Sequence, residues 1–81
     1  MAQVTVYHQP GCAPCHAVME YLSRHNVPFT EKNIRTDAQA LQELIGLGYS
    51  ATPVTRIDDQ VVLGFDPARL ESALRNAGLL S

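Results

Sequence analysis

Tryptophan is absent from the 81 residues of this chain, cysteine occurs only twice, and the aromatics are three tyrosines and two phenylalanines. With both cysteines inside one four-residue stretch, no disulfide framework can staple distant segments together. A fold this small must therefore be held by one hydrophobic core, and 46% hydrophobic residues is ordinary for a chain that builds one. Cations are also scarce. Arg24, Lys32, Arg35, Arg56, Arg69 and Arg75 are the whole set, spread along the chain against eight Asp and Glu, for a net charge of −2. Without a basic stripe, nucleic acid is excluded as an expected partner. No apolar run approaches the length that crosses a bilayer, and Met1-Ala2-Gln3-Val4 lacks the charged-then-apolar layout of an export signal. The expectation is a cytoplasmic, monomeric protein with no membrane partner. Linkers, repeats and low-complexity stretches are missing too, so residues 1–81 read as a single domain.

What is present is a regular alternation of strand and helix signals. Val4-Thr5-Val6-Tyr7 is β-branched and aromatic, a strand ending at the His8-Gln9-Pro10-Gly11 loop. A helix follows, with Pro14 in the first turn, where a missing N–H is tolerated. Val18, Tyr21 and Leu22 keep its i, i+3, i+4 spacing, and it gives out near His25-Asn26 before Pro28. Phe29 to Asn33 predicts a second strand. Asp37 suits the N-cap of a second helix, with Leu41, Leu44 and Ile45 as its apolar face and Gly46 or Gly48 as its stop. Val54 to Ile57 and Val61 to Leu63 predict two more strands, joined by a tight turn at Asp58-Asp59-Gln60. The last helix caps on Asp66, takes Pro67 at its first position and staples Phe65 onto Leu70. Leu70, Ala73, Leu74 and Ala77 form its inner face, stopped by Gly78. The order is βαβαββα. A βαβ unit makes the first two strands parallel and the later hairpin is antiparallel, which predicts an α/β fold with a four-stranded mixed sheet and helices on both faces.

The two cysteines stand where the first strand gives way to the first helix, as Cys12-Ala13-Pro14-Cys15. Cys12 is thereby placed at a helix N-terminus, where free N–H groups and the helix dipole stabilise a thiolate. A thiol of ordinary pKa near about 8.5 becomes nucleophilic at neutral pH in such a place. Cys15, one turn on, can close a disulfide with it, so the spacing points to dithiol–disulfide exchange. Zinc would need four ligands, and only His8 and His16 lie close in sequence, His16 being turned away from Cys12 on the helix. Cys12 to His16 also matches the haem-attachment pattern C-x-x-C-H, but the only methionines for an axial bond are Met1 and Met19. A metal-binding module using the same cysteines, or an interaction domain that merely keeps the fold, stays open as the alternative. Tyr7, Tyr21, Phe29 and Phe65 are expected in the core, and Tyr49 exposed on a loop near the site. Arg35, Asp58 and Asp59 read as solvated surface.

A strand, a C-x-x-C at a helix start, and Thr52-Pro53-Val54 opening a later strand together resemble the glutaredoxin family within the thioredoxin superfamily, over essentially the whole chain. The resemblance implies the thioredoxin-like fold. It also implies a cis Thr52–Pro53 bond against the active cysteine, with the Thr52 backbone turned to pair with an incoming disulfide peptide. The implied site has Cys12 and Cys15 as catalytic residues, with Gly11, Ala13, Pro14, Tyr49, Thr52, Pro53, Gly64 and Phe65 contacting substrate.

Two departures separate the chain from glutathione-dependent members. Gln9 stands where a cation usually pairs with a glutathione carboxylate, and Leu63-Gly64-Phe65-Asp66-Pro67 stands where those members usually have Gly-Gly followed by an acidic pair. The stretches Gly48 to Val54 and Gly64 to Pro67 look more like NrdH-redoxins, which take electrons from thioredoxin reductase and pass them to ribonucleotide reductase. Leu63 and Asp66 stand where that subgroup has Ser and Arg. Pro14 before Cys15 is similar to thioredoxin, yet the first strand lacks the acidic residue that thioredoxins bury there. The resemblance thus implies a reductase of protein disulfides with no bound cofactor, ribonucleotide reductase being the implied partner. Electrons come from thioredoxin reductase with NADPH, or alternatively from glutathione. The metal alternative is an iron–sulfur cluster shared between two chains, which a turn stiffened by Pro14 disfavours.

Overall fold

Among residues 3–80, the part that the computed structural model describes, the elements run β1 (Val4–His8), α1 (Ala13–Arg24), β2 (Thr30–Asn33), α2 (Ala38–Gly46), β3 (Val54–Ile57), β4 (Gln60–Leu63) and α3 (Pro67–Asn76). The predicted βαβαββα order holds. The sheet order is β2-β1-β3-β4, with β1 parallel to β2 and antiparallel to β3, and β3 antiparallel to β4. This is the thioredoxin-like arrangement. No helix of the described residues is long and apolar enough to cross a membrane.

Strand alternation sorts the apolar residues between two faces. Val4, Val6, Ile57 and Val62 pack with Val18 and Leu22 of α1 and with Leu70, Ala73 and Leu74 of α3. Tyr7 and Val54 point the other way and pack with Ala40 and Leu44 of α2. Helices therefore cover both faces, as predicted. Each fully buried aliphatic such as Leu22 or Leu74 contributes about 1.5–3 kcal/mol through area removed from water.

Four local expectations need correction. Phe29 packs against the core from the loop, and β2 begins only at Thr30, where the parallel ladder with Thr5 starts. β4 begins at Gln60, so the hairpin loop is Asp58-Asp59 alone. Asp58 takes the left-handed conformation there (φ 54), and its carboxylate accepts the Gln3 N–H at 2.9 Å. On α2 the buried pair is Ala40 and Leu44, while Leu41 and Ile45 stand 38% and 60% exposed. Asp37 accepts the N–H groups of Gln39 and Ala40, and a helix started in that phase turns Ala40 and Leu44 onto Tyr7 and Val54. Phe65 is 43% exposed rather than core, its ring meeting Tyr21 edge-on with centroids 6.5 Å apart. Asp66 still caps α3 by accepting the Arg69 N–H, but the aromatic before it lies outward.

A polar tie joins the α2 side of the sheet. Tyr7 Oη donates to Glu43 Oε1 at 2.9 Å, and Lys32 Nζ donates to the same oxygen at 2.8 Å. Lys32 and Tyr7 together hold the Glu43 carboxyl below its ordinary value. Burial, then the bond to Glu43, pushes the Tyr7 hydroxyl up to about 12 from 10.0. Because the folded protein retains this proton after the unfolded chain has lost it, stability falls as pH rises through that window. Tyr21, raised by burial and by Glu71, adds to the same slope. Tyr7→Phe is expected to flatten the loss of denaturation midpoint between about pH 10 and pH 12 without abolishing it. An alkaline limb as steep as wild type would show that Tyr7 does not titrate with unfolding.

Candidate active site

The chain leaves β1, passes Gly11 at φ +76, and enters α1 with Cys12 as the N-cap. Only glycine adopts that φ without strain, so Gly11 allows the turn to be made in so few residues. The cap is the sulfur itself: Cys12 Sγ accepts the Cys15 N–H at 3.2 Å. Pro14 has no N–H to offer, and the first turn holds no acidic side chain that would compete for the positive end of the helix. Cys15 begins the inward stripe continued by Val18 and Leu22 and is 1% exposed, whereas Cys12 is half-buried. The two sulfurs are bonded, with Cα atoms 5.2 Å apart.

The second wall is the segment before β3. The Thr52–Pro53 bond is cis. Thr52 Oγ1 donates to Cys12 Sγ at 3.8 Å and accepts from Gln9 Nε2 at 3.0 Å. Gly64, at φ +67, donates its N–H to the Pro53 carbonyl at 3.0 Å, tying the β4–α3 loop to the same place. A groove of about 400 Å³ runs along this wall, lined by Tyr49, Thr52, Pro53, Val54, Leu63 and Gly64 among others. A thiolate at Cys12 would thus meet a helix end and the Thr52 hydroxyl, with the groove on the far side of Thr52 and a second sulfur buried behind it.

A family model described as Glutaredoxin matches residues 4–62. The glutaredoxin-like protein NrdH of Lactococcus lactis subsp. cremoris (strain MG1363) is 37% identical over 83% of this chain and 93% of its own. The chain belongs to the glutaredoxin family. Among solved structures, a thioredoxin-like protein 37% identical superposes with a TM-score of 0.85 over 89% of this chain and all of that one (100%). The NrdH-redoxin from Escherichia coli, 24% identical, shares the fold at a TM-score of 0.79 over 86% of this chain and 92% of its own. This glutaredoxin is a redox protein of the thiol–disulfide oxidoreductase type, and its sequence is similar to those of NrdH proteins.

Of the residues that the sequence placed at the site, Tyr49, Thr52, Pro53 and Gly64 come together in the groove. Gly11, Ala13 and Pro14 are exposed around Cys12 and do not line it. Phe65 stands apart from the groove, against Tyr21. Tyr49 is half-buried, packed on the Tyr7, Ala40, Leu44 and Val54 cluster, and not an exposed loop aromatic. In the sequence Gln9 stands out only as a missing cation; in the structure it bonds Thr52. The Tyr7–Val54 pair brings the end of β1 beside the start of β3, and the two residues meet just beyond it.

In the reduced protein, alkylation is expected at Cys12 well below the ordinary thiol pKa of about 8.5, and slowly at Cys15, which the core shields. Peptide mapping after labelling across a pH series reads this directly. Faster labelling of Cys15 would reverse the assignment.

Proposed function

We propose that this glutaredoxin reduces disulfides in protein substrates, with Cys12 as the attacking sulfur and Cys15 as the resolving one. The observation that supports it best is the division within the pair: one sulfur capping a helix beside a groove, the other buried within bonding distance. Cys12 thiolate attacks one substrate sulfur. The new bond joins Cys12 to substrate, the substrate disulfide breaks, and the departing thiolate takes up a proton. Cys15 then gives up its proton and attacks Cys12 Sγ. A Cys12–Cys15 bond forms and the second substrate sulfur leaves as a thiol. Two electrons have passed from the pair to the substrate, and no bound cofactor takes part.

Re-reduction is assigned to thioredoxin reductase with NADPH rather than to glutathione. Glutathione carries two carboxylates, and Gln9 gives no cation to receive one. Losing one charge-assisted hydrogen bond costs about 1.5–3 kcal/mol, roughly one to two orders of magnitude in affinity. The likeness to the Lactococcus NrdH protein, and a thioredoxin-like activity profile described for the Escherichia coli NrdH-redoxin, support the same assignment. On that likeness, ribonucleotide reductase is the proposed recipient of the electrons and the cytoplasm the proposed location.

Two outcomes are expected. Cys15→Ser should accumulate mixed disulfides with protein substrates on non-reducing gels, and Cys12→Ser should accumulate none. Wild-type turnover by Cys15→Ser without glutathione would rule out the two-sulfur scheme. Offered each reductant separately, the oxidised protein should be reduced rapidly by NADPH and thioredoxin reductase and about tenfold or more slower by glutathione. The opposite ranking would make glutathione the electron source.

A further inference from the structure

We propose that Gln9 and Thr52 form a relay that aims the Thr52 hydroxyl proton at the Cys12 sulfur, Gln9 being a positioning residue for the attacking thiolate. The inference rests on the role given to Cys12 above. Gln9 Nε2 donates to Thr52 Oγ1 at 3.0 Å, and Thr52 Oγ1 lies 3.8 Å from Cys12 Sγ. A hydroxyl has one proton. When its oxygen accepts from a carboxamide N–H, that proton is left to point elsewhere, and the sulfur is the acceptor in reach.

The juxtaposition is built into the sheet. β1 and β3 pair antiparallel with Tyr7 opposite Val54, so the end of β1 and the segment leading into β3 lie side by side and Gln9 can reach Thr52. Both side chains are half-buried, where a hydrogen bond competes less with water. In the oxidised pair the sulfur is a weak acceptor. After reduction it bears the negative charge, so the hydroxyl contact strengthens in the state that attacks.

Cys12 Sγ thereby accepts from two neutral donors, the Cys15 N–H and the Thr52 hydroxyl. Of the ionisable side chains on the surrounding elements, His8 of β1 is largely buried, its Nε2 without a hydrogen-bond partner and 3.6 Å from Glu31, while His16 of α1 is exposed and Asp66 pairs with Arg69. Tyr49 sits on the α2 side of the sheet. The relay itself contains no ionisable side chain other than Cys12.

The test titrates Cys12 by thiolate absorbance and by alkylation rate in a Cys15→Ser background, so that one thiol is present. Thr52→Val should raise the pKa by about one unit and slow alkylation near about pH 6 roughly tenfold. Gln9→Leu should raise it by less. The Gln9→Leu, Thr52→Val double variant should match Thr52→Val alone, because Gln9 acts only through the hydroxyl. Thr52→Ser, which keeps the hydroxyl, should stay close to wild type, and circular dichroism confirms folding in each case. Additive shifts from the two single variants would overturn the relay, as would an unmoved Cys12 titration in a folded Thr52→Val protein. No substrate or reductase enters the measurement. A wrong electron source would leave it untouched, and faster alkylation of Cys15 in the two-thiol protein would expose a wrong choice of attacking sulfur.

Discussion

A helix that begins within five residues of the central strand has its first N–H groups stranded at the edge of the sheet, and they need an acceptor there. In this glutaredoxin the acceptor is Cys12 Sγ. The rest of the site follows from that. Gly11 permits the turn, Pro14 withdraws one donor, and the lack of any carboxylate in the first turn leaves the sulfur to meet the positive helix end. Because α1 must lay Val18 and Leu22 onto Val4 and Val6, its rotation about its own axis is already set. That rotation sends Cys15 inward and leaves Cys12 at the rim. The asymmetry between two chemically identical thiols thus comes from core packing.

The sheet places the opposite wall, and the loops at its end build it. β3 pairs with β1 on one side and β4 on the other, so the residues just before β3 and just after β4 converge beside the cap. Thr52, Pro53 and Gly64 come together for that reason, and the Gly64 N–H to Pro53 carbonyl bond closes the junction. The Tyr7–Glu43–Lys32 tie, linking β1, α2 and β2, holds the far face while α1 and α3 hold the near one. β1 is clamped on both sides, and the cap at its end inherits that rigidity.

Much of this was legible in the residues. Capping signals at Asp37, Asp66 and Pro67 gave the starts of two helices because capping is a local interaction, complete within three residues. The β3 strand and the αβ order were legible from periodicity, and the reactive pair from its spacing. What escaped depended on contacts distant in sequence. Leu41 and Ile45 fit an apolar face as well as Ala40 does, and only the position of Tyr7 and Val54 decides which of them is covered. Phe65 looked like core because aromatics usually are, but Tyr21 offers it an edge contact at the surface. Gln9 was noticed for a charge it lacks, since a hydrogen bond across 43 positions is invisible until the strand register is laid out.

A site built this way is tuned by dipoles. A lysine or arginine beside Cys12 would stabilise the thiolate more strongly, but its field would also extend over a Debye length of about 8–10 Å and attract anionic co-substrates. A backbone N–H and an oriented hydroxyl act over bond lengths, and the helix end acts within its first turn. They favour the thiolate without advertising a positive charge to the solvent. The chain's overall acidity, net −2, works in the same direction by disfavouring the approach of small anions. The groove beyond Thr52 is lined by uncharged residues, Tyr49, Pro53, Val54 and Leu63 among them. The cap and the groove wall therefore share one property: what surrounds the sulfur acts on it by geometry rather than by charge.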